Sequence, residues 1–418
     1  MSKQTLKEPD LVCIMRTYDD QIYDILKNDN VYDTLKKEIL NKIHDEYFLT
    51  ELENESSNLL ESKRYYVEKF VDNYIEKKVR ICKNRIDRIN NEVPNILRHL
   101  KTLELPEQRS EEWYKLRENV LTASSLADAL GKGHFNTRSS LLIDKTSKDK
   151  KEFISNDIIQ WGVKYEQIAT MYYELLNDVK IVEFGLVPHP KLKIFGASPD
   201  GICDISSPKD YVGRMLEIKC PPIRKFWEKP GVPLHYWMQM QGQLETCDLE
   251  ECDFFQVKLF EYDTYEDYVN DKVITYDGEV KHGYCQTSEG VYPKGCLVEF
   301  KKDGEYHYEY PQLCKSVDEY LEWSNTIIDK KKNDYDSVKI SWWKIDRYSC
   351  DLVGRDNEWW ESNVPKIIDF WEDVEHYRRI GNEELILKKE KRKKKKPVNQ
   401  VTVNIPPTYL LDTSSDED

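Results

Sequence analysis

One stretch, Leu216-Glu217-Ile218-Lys219, constrains this chain more than any other. Residues 215–220 alternate in polarity and stop at Pro221-Pro222, which predicts a β-strand. Successive side chains on a strand point to opposite faces. Leu216 and Ile218 therefore point into a core, while Glu217 and Lys219 share the other face. Upstream, Ser198-Pro199-Asp200-Gly201 has the composition of a turn, placed so that Asp200 reaches that same face across a hairpin.

Taken alone, Glu-x-Lys on a strand is more often a solvated face or a weak surface ion pair. A Pro-Asp-Gly turn is also common. Two neighbours shift the balance. Glu166 lies on a helix predicted over 161–177 and supplies a further carboxylate. Gln239 lies on a helix predicted over 233–247, and its amide can bond a metal-bound water or a phosphate. Carboxylates are the ligands a hard divalent cation takes. Such a cation neutralises phosphate charge and eases deprotonation of its water. A nearby lysine orients that water, or accepts its proton if its own pKa is lowered.

The surrounding pattern sorts the 418 residues into regions. Residues 1–105 read as helical, with one apolar stripe of period near 3.6 from Val67 through Phe70, Val71, Tyr74, Ile75, Val79, Cys82, Ile86 and Ile89 to Val93. Pro94 bends or ends that stretch. A helical pattern over 111–130 breaks at Thr122-Ala123-Ser124. Strands follow within 179–192 and 254–260, and short aromatic-rich strands with turns such as Tyr276-Asp277-Gly278 fill 261–312. A helix is expected over 316–330, and the pattern fades beyond 380. Helices, then strands, then a helix, then a strand predict an α/β core with a mixed sheet.

Six pieces in one order resemble the YqaJ-like viral recombinase family of phage-lambda-type exonucleases, within the PD-(D/E)XK nuclease superfamily. They are Glu112-Trp113-Tyr114-Lys115-Leu116-Arg117, Leu121-Thr122-Ala123-Ser124, Trp161-Gly162-Val163-Lys164-Tyr165-Glu166, Gly196-Ala197-Ser198-Pro199-Asp200-Gly201, Leu216-Glu217-Ile218-Lys219-Cys220-Pro221 and Gln239-Met240-Gln241. The resemblance runs from 109 to about 260, roughly a third of the chain. It implies a restriction-endonuclease-like core, a central mixed sheet flanked by helices. It implies that Asp200, Glu217 and the Ile218 carbonyl hold Mg²⁺, with Mn²⁺ able to substitute, and that Glu166 binds the metal directly or through water. Lys219 would activate the water and Gln239 would help position it. Family members digest one strand of duplex DNA from a 5′ end and leave single strand for annealing, so DNA ends and a single-strand annealing protein are the implied partners. Arg117 and Ser124 match the residues that hold the 5′-phosphate, and Ser198 matches a further phosphate contact. Lys225 falls near a later family arginine, a point charge in place of a bidentate fork. A ring-shaped oligomer is compatible with the resemblance. Two other readings stay open: a structure-specific or nicking endonuclease of the same fold, and a catalytically silent DNA-binding module, against which the intact set of acids and lysine speaks.

The expected division is a helical extension at 1–105, a nuclease domain at 106–345, and a C-terminal extension at 346–418. That extension holds a basic run at 388–396, read as a solvated tail with nuclear import or a loose DNA contact as the alternative, and an acidic end at 414–418. The net charge of −15 argues against a protein that coats DNA nonspecifically, but a nuclease needs only a local positive groove. The ten cysteines form no C-x-x-C pair, which predicts free thiols. No apolar run approaches the roughly 20 residues that span a bilayer, and MSKQTLKEPD lacks a signal-peptide core. The expectation is an intracellular protein, in host cytoplasm or nucleus if viral.

Overall fold

The computed structural model describes residues 14–15, 18, 21, 31–43, 57–106, 108, 110–147, 157–271, 273–274, 280–281 and 292–395. The turn at Tyr276-Asp277-Gly278 and the acidic end lie outside the described residues.

Three helices come first: α1 (Val31–Ile43), α2 (Ser57–Asn91) and α3 (Val93–Leu100). The predicted stripe is real. Val67, Val71 and Ile75 of α2 pack with Leu35 and Ile39 of α1 in a small core of their own. Pro94 occupies the first turn of α3, so the long helix ends just before it. Then come α4 (Glu111–Glu118), β1 (Leu121–Thr122), a short 3₁₀ turn at Ala123–Ser125, α5 (Leu126–Ala129), α6 (Arg138–Thr146) and α7 (Asp157–Asn177). Strands β2 (Ile181–Val182), β3 (Val187–Pro188), β4 (Phe195–Ala197), β5 (Gly201–Cys203) and β6 (Met215–Lys219) lead to α8 (Leu234–Cys247) and β7 (Glu251–Glu261). The remainder is α9 (Tyr265–Asn270), β8 (Val273–Ile274), β9 (Val280–Lys281), β10 (Lys294–Lys302), β11 (Glu305–Glu309), α10 (Val317–Lys331), β12 (Ser337–Gly354), α11 (Asn357–Ile380) and α12 (Glu383–Lys395).

The main sheet has the order β11-β10-β12-β7-β6-β5-β2. It is mixed, as expected. β5 and β6 form an antiparallel hairpin with Gly201 opposite Leu216. β6 and β7 run parallel with Glu217 opposite Phe254, so α8 is a crossover helix. On one face, Tyr165, Ile168 and Tyr173 of α7 cover Leu216, Ile218 and Phe255. On the other, Met240 and Leu244 of α8 join Val93 and Leu97 of α3 over Met215, Ile202 and Phe254. Glu217 and Lys219 share this second face. It is roofed by a helix and is no solvated surface.

Two features differ from the expected division. A boundary at 345 falls inside β12, which pairs with β10 through its first half and with β7 through its second. α11 then seals the three-stranded sheet β1-β4-β3: Trp360, Ile367, Phe370 and Trp371 pack on Leu121, Phe195 and Ala197. The pattern also does not fade at 380. α12 runs on to Lys395, anchored by Leu385 against this cluster and by Asn382 donating to Thr146, 2.9 Å. Most of the basic run is therefore helical where it is described. Cys203, Cys220, Cys247, Cys252 and Cys296 are buried free thiols. No helix among the described residues is long and apolar enough to cross a membrane.

α8 meets the 3₁₀ turn and β4 through Gly242. A Cβ there would lie 2.8 Å from Phe195 Cζ, 3.2 Å from Leu126 Cδ2 and 3.3 Å from Ala123 Cβ. G242A is expected to cost about 1–3 kcal/mol by overpacking. Urea unfolding checks this, as a lower midpoint at unchanged slope.

Candidate active site

Glu217 is the centre of the site. Its side chain is fully buried, and a buried carboxylate must be bonded or paired. Lys219 donates to Oε1 and pairs with it. Gln239 Nε2 donates to the same oxygen at 2.7 Å, and Gln243 Nε2 donates to Oε2 at 2.7 Å. Gln239 and Gln243 stand four residues apart on α8 and so share one helix face.

Asp200 arrives from the turn before β5. Its Oδ2 accepts the Ile218 N–H at 2.7 Å, the hairpin contact expected of it. Burial and the neighbouring Glu217 hold the Asp200 carboxyl well above the usual carboxylate range; Lys219 opposes this, and Glu166 on α7 adds to it. Glu166 is thus within electrostatic reach of Asp200. Burial works against the charge on Lys219, but Glu217 and Asp200 more than offset it and hold the ammonium above the usual lysine range. The lysine is a firm cation in this arrangement. Its Nζ also donates to the Ile218 carbonyl at 3.0 Å. The ammonium therefore bonds the same two groups, the Glu217 carboxylate and the Ile218 carbonyl, that the resemblance gives to a metal. Among the described residues no three His, Cys, Asp or Glu side chains form a ready-made cation cage.

The donor set is nonetheless of one kind. Asp200, Glu217 and the Ile218 carbonyl offer only hard oxygens, as Mg²⁺ requires. Crowded acids that push one carboxyl toward protonation are a place where added positive charge is favourable. Gln243 Oε1 is buried with no partner, a further oxygen available to a donor such as water. These residues fit a hydrated divalent cation.

A second cluster adjoins the first. Ser110 caps α4 by accepting the Trp113 N–H at 3.2 Å, which sets the direction of this helix. Arg117, on the same helix, lies over the Trp113 ring at 4.3 Å and donates to Ser124 Oγ at 3.4 Å. No carboxylate pairs with Arg117 among the described residues, and burial presses its pKa below the usual arginine range. Trp113 Nε1 donates to Ser198 Oγ at 3.3 Å, and the Ser198 carbonyl accepts from Gln243 Nε2 at 3.3 Å. Ser198 thus ties the arginine pocket to the acidic site.

Lys225 is not brought into this pocket: it is exposed, and its ammonium pairs with Glu228 at 3.1 Å. Gln241, inside the quoted motif, does another job. It donates to the Gly354 carbonyl at 3.0 Å and accepts the Asp356 N–H at 2.7 Å, clamping the end of β12 to α8. Sequence reasoning missed Gln243 and Trp113. For Gln243 the signal was its spacing of four from Gln239. For Trp113 it was the spacing of four to Arg117 on a capped helix.

Comparison with known proteins supports the same region. The YqaJ-like viral recombinase domain model matches residues 112–250. An uncharacterised protein of Acanthamoeba polyphaga mimivirus is 32% identical over 300 residues, covering 65% of this chain and 53% of that protein. A protein of African swine fever virus is 25% identical over 161 residues, covering 33% of this chain and 46% of its own length. The chain spans about half the length of these curated relatives. Among solved structures, an alkaline exonuclease from Laribacter hongkongensis aligns with a TM-score of 0.38 and 18% identity, over 68% of this chain and 99% of that one. A phage-related exonuclease from Haemophilus somnus aligns with a TM-score of 0.34 and 13% identity, over 63% and 96%. The segment that matches the YqaJ-like viral recombinase domain model, residues 112–250, takes in nearly all of α4, the acidic site and α8.

Proposed function

We propose that the protein is a Mg²⁺-dependent exonuclease that digests one strand of duplex DNA in the 5′ to 3′ direction. The observation that carries this is the continuity of two chemically different sites. A cluster of acids with one lysine is linked through Gln243, Ser198 and Trp113 to an arginine that has no acid partner among the described residues. A terminal phosphate held by Arg117, Ser124 and Ser198 would leave a phosphodiester farther along the strand over the acids. Arg117 suits this because a guanidinium binds phosphate in a fork and stays charged.

Asp200, Glu217 and the Ile218 carbonyl would hold the ion, with Glu166 reaching it through water. When bound, the ion neutralises phosphate charge and eases deprotonation of the attacking water. Lys219 orients that water through its ammonium and offsets charge on the phosphate. Gln239 and Gln243 hold the two Glu217 oxygens in place, so the carboxylate does not reorient during the reaction. The single strand left behind is the form that an annealing protein takes up, and it gives the activity its place in viral recombination.

Hydrolysis is expected with Mg²⁺ or Mn²⁺, to vanish in EDTA, and to fail with Ca²⁺, whose coordination is larger and looser. Release of acid-soluble nucleotide from linear duplex measures it. Digestion that persists in EDTA would remove the metal from this account. Covalently closed circles should survive, and their rapid loss would make the enzyme an endonuclease.

A further inference from the structure

We propose that Phe135, with His134 and His235, forms a stacking platform for an unpaired nucleobase of the DNA at the mouth of the acidic site. This rests on the nuclease reading for the identity of the ligand. Phe135 is 75% exposed, more than any other large hydrophobic side chain among the described residues. A lone exposed phenylalanine is ordinary, but this one is neither alone nor loosely held. His134 stacks on His235, with ring centroids 5.1 Å apart and planes at 11°. Phe135 meets His235 edge-on at 5.6 Å and 85°. His235 in turn lies 4.1 Å from the Tyr236 ring. Leu234, beside them, is also largely exposed.

The loop that presents Phe135 is braced. Gly131 has φ +72°, a left-handed conformation that favours glycine. A Cβ on Gly133 would fall 1.9 Å from Asp128 Oδ1 and 2.4 Å from the Asn136 carbonyl oxygen, so only glycine fits. The Asp128 carboxylate accepts from both the side chain and the backbone of Asn136. Thr137 then caps α6 through the Ser140 N–H at 3.2 Å. An apolar ring fixed in solvent on both sides of its loop is preorganised for a partner, since little side-chain or loop freedom is left to lose on binding.

The chemistry around it points to DNA. Lys219 Nζ lies 5.2 Å from the Tyr236 ring centroid, and the Arg224 guanidinium lies 5.8 Å from it. Arg224 bonds the Gln256 side chain and has no carboxylate partner among the described residues. Burial, then His134, Arg224 and Lys219, push the His235 imidazole down to about 4, so it presents a neutral π-face at neutral pH. Flat rings beside Arg224, a cation without a carboxylate partner among the described residues, suit a base with its phosphate, and stacking of this kind tolerates any base. An exonuclease must part the strands to pass one of them over its acids. A ring that receives the freed base would hold them apart.

The test uses the full chain in EDTA and a duplex with 2-aminopurine among its first three 5′ nucleotides. Stacking quenches this base, so wild type and F135W should quench it, while F135A should lose most of the quench and bind roughly tenfold more weakly. Sedimentation should show the same oligomeric state for all three. Absence of quenching by the wild type, or equal quenching by F135A, overturns the platform. So does a change in oligomeric state with quenching intact, which would make Phe135 a protein interface. Hydrolysis with Mg²⁺ is read separately. Predicted quenching without hydrolysis would sink the nuclease reading and leave the platform; hydrolysis with quenching insensitive to F135A would do the reverse.

Discussion

Replacement of Glu217 by glutamine is expected to lower duplex digestion by about three orders of magnitude, or ~4 kcal/mol in the barrier. The size follows from its position. Glu217 is fully buried, and its two oxygens take three donors from Lys219, Gln239 and Gln243. An amide of the same shape keeps one acceptor, loses the charge that would hold a cation, and turns a donor toward the glutamines. Lys219 would lose its nearest counter-charge while keeping the Ile218 carbonyl at 3.0 Å. Circular dichroism and thermal unfolding should report a folded protein, because the apolar side of β6 is untouched. Initial rates on linear duplex over a range of Mg²⁺ concentrations measure the effect. A rate within threefold of wild type would remove Glu217 from the chemistry.

Replacement of Arg117 by alanine should abolish discrimination between 5′-phosphorylated and 5′-hydroxyl ends. A charge-assisted bond to phosphate is worth about 1.5–3 kcal/mol, so kcat/KM on the phosphorylated end should fall roughly 10- to 150-fold. The hydroxyl end should change far less. The guanidinium stacks on Trp113 and bonds Ser124, and no acid competes with a phosphate for it among the described residues. Removing it should cost little stability, since a half-buried cation without a counter-charge is not a stabilising feature. Equal losses on both ends would deny Arg117 the end-recognition role.

The hairpin of Asp200 and Glu217 was legible because alternation on a strand and a Pro-Asp-Gly turn are local signals. The amphipathic stripe of α2 was legible for the same reason, as a period of one helix face. What escaped depends on contacts between distant segments. β12 changes partner midway, and its second half, with Tyr348, Cys350 and Leu352, alternates only in the context of β7. α11 lies in the segment taken as a C-terminal extension, and only its packing of Trp360 and Phe370 against Phe195 ties it to the rest. Gln243 looked like any helical glutamine, yet α8 crosses the sheet with that face down on Glu217. The lysine shows the limit most clearly. A strand pattern puts Lys219 beside Glu217, but the direction of its pKa follows from two acids meeting across the hairpin.

The most direct test of the central claim is digestion of linear duplex DNA labelled at the 5′ end, by wild type and by D200N, each with Mg²⁺. The account predicts early release of the 5′ label by wild type and none above background by D200N. Equal release by the two proteins would contradict it.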